Sequence, residues 1–445
     1  MSKPDAKPDS LEKISRPQAS GYDKRLLRNV YVLSLTMGVM TLFFGWQSYQ
    51  SLYVYYGLGA TALQVGIFFS VASLAHALSG VPASMISDKR GRKSFIVAGT
   101  FINGFVYISY ALCNTWVLLM FPLFIQNLIH AAYINPMNAL LAESAPPERR
   151  GVANGSFQAI AGVISFFAPL LAMVVILQFG KNLADPATLR VAMPYLFFMC
   201  GATVAVMAVA RGLALRETHV HLPSPPKGLH VDGTGKETGV ETLTAGGGSL
   251  DECEGPRLRS RSVVGFYVFV SIAAVVSAAI SYFIPIYGEQ TLNLDTVQIA
   301  VLFSVSTGVS TLVQLPTGRL ADSSRKKTML LVSVLLSASA IILFLRATNF
   351  SEFILAQIPF SAAGALLYNT EFTVISCYAR RRNRSTAFSI QTAINDIASI
   401  PWPLVGGILF GISPQLPFVF SLIVTIPAFI AGALFVHEPG KPVAE

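Results

Sequence analysis

Four titratable side chains stand inside long apolar runs of this sequence: His76, His130, Glu371 and Asp396. Ionisable groups are costly inside a membrane and normally face a water-filled cavity, so each of the four is a candidate for function. A carboxyl group removed from water can hold a proton near neutral pH and release it when the site meets water again. Histidine titrates near neutrality even when it is unperturbed. The chemistry open to these residues is therefore the binding and release of protons or cations.

The four groups lie at similar depths in their runs. Each is 9 to 13 residues from the charged or polar residue that marks the nearer end of its run. At 1.5 Å per residue this is roughly 13 to 20 Å, so all four could meet in one pocket near the middle of a membrane. We predict that Glu371 and Asp396 bind the coupling proton or a cation, and that His130 contacts the substrate. The alternative is a structural ion pair or hydrogen bond for each acid, and ordinary packing for His76.

The elements that carry these groups are predicted to be transmembrane helices. Of the 445 residues, 53% are hydrophobic and only 12% are charged, against about 25% in an ordinary soluble domain. So few charges cannot coat a water-soluble surface, which excludes a soluble enzyme. Apolar runs long enough to cross the ~30 Å hydrocarbon layer of a lipid bilayer occur twelve times. They lie near residues 30–56, 63–86, 95–113, 116–142, 151–179, 191–215, 262–288, 297–320, 327–346, 351–379, 385–410 and 415–436.

The basic residues indicate the orientation of these runs. The connectors on one side carry most of them, whereas the opposite connectors hold only Lys181, Arg190 and Arg346 of the 32 lysines and arginines. Because lysine and arginine favour the cytoplasmic side, we predict a multi-pass protein of the plasma membrane with both termini in the cytoplasm. The net charge of +9 then reflects topology and indicates no nucleic-acid partner.

Composition divides the chain into five segments. The polar stretch 1–28 is predicted to be a cytoplasmic tail, and 217–261 is rich in Gly, Pro and charge, which is typical of a flexible linker. The linker separates a six-helix half at 29–216 from a second half at 262–438, which a short tail at 439–445 follows. The four cysteines lack CxxC spacing, and the linker run GTGKE departs from a phosphate-binding loop. We therefore expect no bound metal and no cofactor.

An internal repeat relates the two halves. An offset of 234 residues aligns them without gaps from the first run to the fifth, and superposes Asp88 on Asp322 and Lys93 on Lys327. An alignment kept that far indicates a duplicated six-helix unit. In transporters built this way, the substrate binds near the bilayer midplane at the interface between the repeats.

Two loops carry a specific resemblance. The segment SMISDKRGRKS, residues 84–94, follows the second run, and GRLADSSRKK, residues 318–327, follows the eighth. Both resemble the G-x-L-A-D-R-x-G-R-R/K signature loop of the major facilitator superfamily, although Ser84 replaces the first glycine and Arg325 replaces the glycine that matches Gly91. The resemblance implies an all-α integral membrane protein, with twelve transmembrane helices in two six-helix bundles related by pseudo-two-fold symmetry.

The resemblance also implies a gating latch between the halves on the cytoplasmic side. Asp88 is expected to face the start of helix eleven and Asp322 the start of helix five, because helix N-termini attract negative charge. Arg92 is expected to pair with Glu143. The alternative is that these charges only fix the topology. The predicted latch comprises Asp88, Arg92, Glu143, Gly318, Asp322 and Lys326.

Polar side chains in the first, fourth and tenth runs complete the predicted cavity, because these helices line the central cavity in the superfamily that the chain resembles. For each residue the alternative is polar bonding between helices. With His76 and His130, the predicted substrate cavity contains Gln47, Gln50, Gln126, Asn127, Asn135, Asn138 and Asn369. The sixth, ninth and twelfth runs are almost wholly apolar and are predicted to face lipid.

Together these features predict a secondary active transporter, acting as a monomer, and not an enzyme. Two bundles that rock about a mid-membrane site would expose it alternately to each side, with a proton gradient as the driving force and a small organic solute as the substrate. Two alternatives stay open at this point: export of drugs or amphiphiles in exchange for protons, and uptake of metabolites, organic anions or sugars. A sensor that kept the fold without transport is the remote alternative.

Overall fold

The structure is a computed structural model, and it is organised in helices. It describes residues 27–144, 150–180, 182–183, 185–217, 261–321, 326–378 and 384–436. Within those ranges every regular element is helical. We number the twelve membrane-crossing units α1 to α12 and keep one label where a unit consists of consecutive segments.

The first half of the chain contains α1 to α6. In α1 the α-helical segment Leu27–Leu42 continues through a 3-10 segment Phe43–Tyr49, a short α segment Gln50–Leu52 and a π segment Tyr53–Gly57. The following units are α2 (Ala62–Arg90), α3 (Lys93–Tyr110), α4 (Trp116–Glu143), α5 (Arg150–Ser165 and Ala168–Leu177) and α6 (Pro186–Ala214).

The second half contains α7 to α12 and repeats this order. Its units are α7 (Arg261–Ala278 and Ile284–Leu292), α8 (Thr296–Ala321), α9 (Lys326–Arg346), α10 (Phe350–Tyr378), α11 (Arg384–Ser399 and Pro401–Ile412) and α12 (Leu416–Phe435). The helix ends agree with the predicted runs within a few residues. The largest difference is the start of α6, which begins at Pro186 where the sequence predicts 191.

The helices are built for a lipid environment. In the described part of the chain, ten are long and apolar enough to cross a membrane, and Val264–Ala278 of α7 is a shorter apolar helix. Large apolar side chains on the outside of the bundle, such as Leu35, Phe121 and Leu213, are more than half exposed. In water such an apolar surface would be unfavourable, whereas lipid tails solvate it. The predicted all-α architecture of twelve helices is confirmed.

Three of the helices break just before prolines. The breaks in α5, α7 and α11 precede Pro169, Pro285 and Pro401. Proline has no backbone N–H and its ring clashes with the preceding helical turn, so the helix is interrupted there. By contrast, Pro136 and Pro359 lie inside the continuous helices α4 and α10.

The helices α2 and α8 begin with the same capping motif at equivalent positions of the repeat. At the start of α2, the Gln64 N–H donates to Thr61 Oγ1 at 3.3 Å, and the Thr61 N–H donates to Gln64 Oε1 at 2.8 Å. At the start of α8, Asp295 and Gln298 make the two corresponding bonds at 2.8 and 3.0 Å. This capping box pairs N–H groups that a helix start leaves free, so it fixes where both helices begin.

Two pairs of helices join the halves: α2 with α11, and α5 with α8. Along the first seam, a Cβ on Gly66 of α2 would overlap the carbonyl of Pro403, and a Cβ on Gly407 of α11 would overlap the carbonyl of Ala62. Only glycine lets the two backbones approach this closely. Along the second seam, Gly162 of α5 lies against Thr311 of α8.

The halves also meet at one end of the bundle. Twelve crossings return the chain to the side where it starts; we call that side the terminal end and the opposite side the distal end. At the distal end, α1 makes three polar contacts with the second half. Tyr49 Oη donates to the Thr296 carbonyl at 3.0 Å, Gln290 Nε2 donates to Tyr55 Oη at 3.0 Å, and Tyr56 Oη is hydrogen-bonded to Glu289. These contacts close the halves against each other at the distal end.

Candidate functional site

His76 and Asp396 join the two halves at the α2–α11 seam, in the middle of both helices. His76 Nδ1 lies 2.5 Å from Asp396 Oδ2, and the two side chains are 17% and 22% exposed. An imidazole and a carboxylate at this distance share a proton or form a charged pair. Two of the four titratable residues singled out from the sequence are therefore in direct contact.

His130 of α4 adjoins this pair. Its ring centroid lies 5.6 Å from that of His76, and 5.4 Å from the ring of Tyr133 one turn further along α4. The three groups His130, His76 and Asp396 therefore form a continuous row across α4, α2 and α11. The first two belong to one half of the molecule and the third belongs to the other.

Glu371 of α10 approaches the same part of α11 from the other side. It is buried, and its Oε2 accepts a hydrogen bond of 3.3 Å from Asn395 Nδ2. Asn395 is the neighbour of Asp396 in the sequence, so α11 contacts Glu371 through one residue and His76 through the next. The structure thus gathers all four predicted titratable residues around one stretch of α11, with two separate contacts instead of one common pair.

Gln391, one helical turn from Asn395, is a buried amide beside Glu371. It is only 4% exposed, and it lies close enough to act on the charge of the Glu371 carboxylate. Among the described residues, neither its Nε2 nor its Oε1 has a partner in hydrogen-bond geometry. An amide oxygen buried without a hydrogen-bond donor is costly, because it has lost its bonds to water. Neither Gln391 nor Asn395 is among the sequence-predicted cavity residues, although they share one helix face and lie within five residues of Asp396.

Aromatic side chains complete the surroundings of Asp396. Tyr282, in the break of α7, stacks on Phe69 of α2 with ring centroids 3.8 Å apart and ring planes 9° apart. Tyr282 also lies near enough to Asp396 to interact with its charge. The stacked pair is a second contact between the halves at this level, and it places the Tyr282 ring next to the acidic group.

The other predicted cavity residues are partly occupied by contacts within one half. In α4, Gln126 donates to Tyr107 Oη at 3.2 Å, and Asn127 donates to Gln126 Oε1 at 2.9 Å. Asn369 of α10 donates to Thr317 Oγ1 of α8 at 2.7 Å. Gln126 and Asn369 bond neighbouring helices together, which is the alternative role for polar membrane residues, whereas Asn127 bonds within α4. Gln47 is exposed, Gln50 and Asn135 are buried, and Asn138 is half-buried.

Most of the predicted latch lies outside the described part of the structure. This applies to the side chains of Asp88 and Glu143, the surroundings of Gly318, and all of Asp322. Arg92 is buried, and Lys326 begins α9. The carboxylate of Glu217, just beyond α6, accepts the backbone N–H groups of Arg92 at 3.2 Å and Lys93 at 2.9 Å. Glu217 therefore caps the start of α3, a contact that the sequence does not predict.

The apolar sixth run hides a buried charge. Arg211 of α6 is fully buried, with its Nε donating to Thr36 Oγ1 at 3.0 Å and its Nη1 donating to Thr100 Oγ1 at 2.9 Å. The prediction that α6 is almost wholly apolar and faces lipid is therefore incomplete, because one of its faces carries a guanidinium into the first half. Arg211 lies only three residues before the end of α6, and from sequence alone it resembles a basic residue that ends a span.

Within the described residues, no group of three His, Cys, Asp or Glu side chains is arranged to hold a metal ion. The site instead consists of two acids, two imidazoles, buried amides and aromatic rings at the meeting of two six-helix halves. Such a site in such a bundle defines a class of protein, the membrane transporters with duplicated halves.

Comparison with known proteins gives the family. The sequence model of the Major Facilitator Superfamily matches residues 33–323 and 290–445. The chain therefore belongs to the major facilitator superfamily, and it is a transporter of that family.

Individual relatives are distant. An uncharacterised transporter of this superfamily from Methanocaldococcus jannaschii is 23% identical over 414 residues, which cover 91% of this chain and 98% of the relative. The quinolone resistance protein NorA of Staphylococcus aureus is 23% identical over 176 residues, which cover 40% of this chain and 44% of that protein.

Solved structures show the same fold. A human organic anion transporter, TETRAN, has a TM-score of 0.66 at 14% identity and covers 92% of this chain and 99% of its own. A bacterial homologue of the human lysosomal transporter Spinster, solved in an inward-facing and unoccupied conformation, also has a TM-score of 0.66 at 14% identity, and covers 95% and 99%. At this identity, the similarity describes the fold alone.

Proposed function

We propose that the protein is a proton-coupled secondary transporter of a small organic solute, and that its two halves rock about the site at α11. The single observation that carries the coupling is the contact between His76 and Asp396, because it joins two titratable groups from opposite halves in the middle of two membrane-crossing helices. A charge change at such a contact acts directly on how firmly the halves hold together.

The coupling follows from the chemistry of the pair. With a proton on His76 and none on Asp396, the two side chains attract each other across the α2–α11 seam, and the attraction is strong because little water surrounds them. A further proton on Asp396, or loss of the proton from His76, removes one of the two charges and weakens the seam. Glu371 supplies a second acid on the same stretch of α11. Proton binding from one side of the membrane and release to the other would in this way be tied to the rocking of the halves.

The remaining predictions belong to the same proposal. The latch would hold the terminal end closed in one state and separate in the other, through Asp88, Arg92, Glu143, Gly318, Asp322 and Lys326. The terminal end would face the cytoplasm of a cell whose plasma membrane contains the protein, in agreement with the distribution of basic residues.

Transport in proteoliposomes tests the proposal. The purified protein is reconstituted, and accumulation of labelled tetraphenylphosphonium, benzoate and glucose, as a cation, an anion and a neutral solute, is measured with a pH gradient of either sign. We expect one of them to accumulate against its gradient with one sign only, which also gives the direction of transport. Asp396→Asn should abolish this accumulation but keep exchange of labelled for unlabelled solute, since exchange needs no net proton movement.

Glu352→Gln is a matched control, because Glu352 is an exposed acid at the opposite end of α10. It should behave like the unaltered protein. Unchanged pH-driven accumulation in both Asp396→Asn and Glu371→Gln would remove these acids from the coupling mechanism.

A further inference from the structure

Around the site, the charged side chains inside the membrane-crossing helices are mainly acidic. Glu371 and Asp396 are acidic, whereas the described lysines and arginines lie at helix ends, with one exception. Those whose side chains are described are Arg28, Arg92, Lys93, Arg190, Arg216, Lys326, Lys327 and Arg346, and the helical residues Lys89, Arg90, Arg150, Arg261, Arg319 and Arg384 also lie at or near helix ends. The exception, Arg211, is fully buried in the first half and is held by Thr36 and Thr100. Among the lysine and arginine side chains that the structure describes, none is therefore directed at the acids.

The face of α10 that carries Glu371 borders open space. Gly364, Tyr368 and Glu371 follow one another at intervals of four and three residues, so they share one side of the helix. A Cβ added at Gly364 would meet no atom within 4 Å. Gly364 is also the repeat counterpart of His130, 234 residues earlier. Room for a ligand thus exists on this face, at the level of the titratable groups.

The surroundings of the Glu371 carboxylate favour a ligand that has an N–H group. Within the described part of the chain, Glu371 accepts one hydrogen bond in good geometry, from Asn395. The adjoining Gln391 amide is more than nine-tenths buried and lies close enough to Glu371 to interact with its charge, while its Oε1 has no hydrogen-bond donor among the described residues. An acidic oxygen and an unused amide oxygen side by side suit a group that donates hydrogen bonds and carries positive charge.

Aromatic rings adjoin both acids. Tyr368 is 49% exposed on the same helix face as Glu371 and lies close to its charge. Tyr282, stacked on Phe69, lies close to Asp396. Ring faces attract organic cations and pack against aromatic or alkyl groups, so an acid next to a ring is a better site for an organic cation than for an inorganic one.

We infer that the transported solutes are organic cations, and that Glu371, with Gln391 and Tyr368, binds their ammonium group. This inference rests on the proposed transport function and specifies its substrate class. An organic anion would have to enter the membrane next to Glu371, toward which no lysine or arginine side chain that the structure describes is directed, and this is unfavourable. Asp396 with His76 then carries the proton, while Glu371 carries the charge of the solute.

Binding of two ions of the same shape and opposite charge tests the inference. Tetraphenylphosphonium and tetraphenylborate are measured at equilibrium on the full-length protein in nanodiscs, with the signal of empty nanodiscs subtracted. We expect saturable binding of the cation, and binding of the anion about 100-fold weaker or absent. Glu371→Gln keeps the shape of the side chain and should weaken binding of the cation about 10- to 100-fold. Glu352→Gln should leave it unchanged.

A second pair of probes tests the role of Gln391. Gln391→Leu should weaken 1-naphthylmethylammonium, which can donate N–H bonds, by about tenfold, but should change tetraphenylphosphonium by no more than about twofold. The melting temperature of each variant reports whether it folds, and Tyr368→Leu, on an exposed position, provides a further variant that should weaken both cations.

Equal binding of the two tetraphenyl ions, or cation binding that Glu371→Gln leaves unaltered in a folded protein, would overturn the inference. No ion gradient is present in these measurements. A protein that binds cations through Glu371 but accumulates none under a pH gradient would therefore contradict the proton coupling and leave the substrate class intact.

Discussion

Asp396 is the residue through which a charge in one half reaches the other. It contacts His76 of α2, lies near Tyr282 of α7, and follows directly after the residue that binds Glu371. A change of its protonation state is therefore felt by three neighbouring helices. This makes the strength of the His76–Asp396 contact the first quantity to measure.

A double-mutant cycle measures that contact. His76→Gln and Asp396→Asn should each lower the melting temperature of the purified protein, because each leaves a half-buried partner without its charge or its bond. The double variant should be at least as stable as the less stable of the two single variants, with a coupling energy of about 0.5–3 kcal/mol. Ser84→Ala and Ser389→Ala, which remove a contact of 2.5 Å between uncharged groups on the same seam, form the reference cycle. Additive effects for the charged pair would mean that the two side chains do not interact.

The thiol of Cys113 offers a test of reactivity and orientation. It lies in the connector between α3 and α4 at the distal end, and burial raises its pKa. A raised pKa leaves less thiolate at neutral pH, and the thiolate is the form that reacts. We expect a membrane-impermeant maleimide added outside intact cells to label Cys113 slowly at pH 7 and faster as the pH rises.

Cys200 is fully buried and should stay unlabelled until the protein is denatured. Labelling of Cys113 at pH 7 at the rate of a free cysteine would contradict its burial. Labelling only from the cytoplasmic side would reverse the predicted orientation.

At the level of single residues, the sequence identifies the site residues that are both charged and deep within an apolar run. His76, His130, Glu371 and Asp396 stand out because ionisable groups are rare in apolar runs. Gln391 and Asn395 are harder to recognise, since amides are common in membrane helices and only packing shows that they adjoin Glu371. Arg211 lies too near a helix end for its burial to be read from the sequence.

Among the helices, α2 and α11 have the closest backbone contact between the halves. Gly407→Val should lower the melting temperature and impair transport, because its side chain would displace the backbone of α2 near Ala62. Gly411→Val, one turn further along α11, is the matched control, since a Cβ there meets no atom within 4 Å. The melting temperatures of the two variants, with transport of the same solute, check this prediction. Equal effects would show that the close approach at Gly407 has no consequence for the seam.

The helices themselves could be predicted well, and their interruptions less so. Length and hydropathy locate twelve spans because a lipid bilayer demands about 20 apolar residues from each crossing. The 3-10 and π segments of α1 carry no comparable signal. They depend on packing, such as that of Trp46, whose ring lies 5.1 to 5.8 Å from those of Tyr107, Tyr110 and Phe197.

For the molecule as a whole, the two seams are related by the repeat but differ in chemistry. The repeat superposes His76 on Ser310 and Asp396 on Gly162. The α2–α11 seam therefore carries a titratable pair where the α5–α8 seam has only a serine and a glycine. A change of protonation would act on the α2–α11 seam, whereas the α5–α8 seam has no group at the equivalent positions that changes its charge. The repeat is visible in the sequence, but which positions touch across the halves is not.

The distal contacts should control how often that end opens. Tyr56→Phe removes the hydrogen bond to Glu289 and should favour the distally open state by about 3- to 10-fold. Gln47→Cys, introduced in a variant without native cysteines, reports this as faster labelling by an impermeant maleimide from the distal side. Tyr31→Phe is the control, because Tyr31 is an exposed tyrosine near the start of α1. Equal labelling rates in the two variants would mean that the Tyr56–Glu289 contact does not keep the distal end closed.

Glu217 fixes the position of the chain at the end of the first half, where the connector between the halves begins. Because its carboxylate accepts hydrogen bonds from the backbone N–H groups of Arg92 and Lys93 at the start of α3, the chain at Glu217 is held beside residues 91–93. A fluorescent protein or affinity tag inserted a few residues after position 217 would consequently be held close to residues 91–93. Replacement of Glu217 would free the inserted protein from this loop. The position is therefore suited to a reporter of movements at the terminal end.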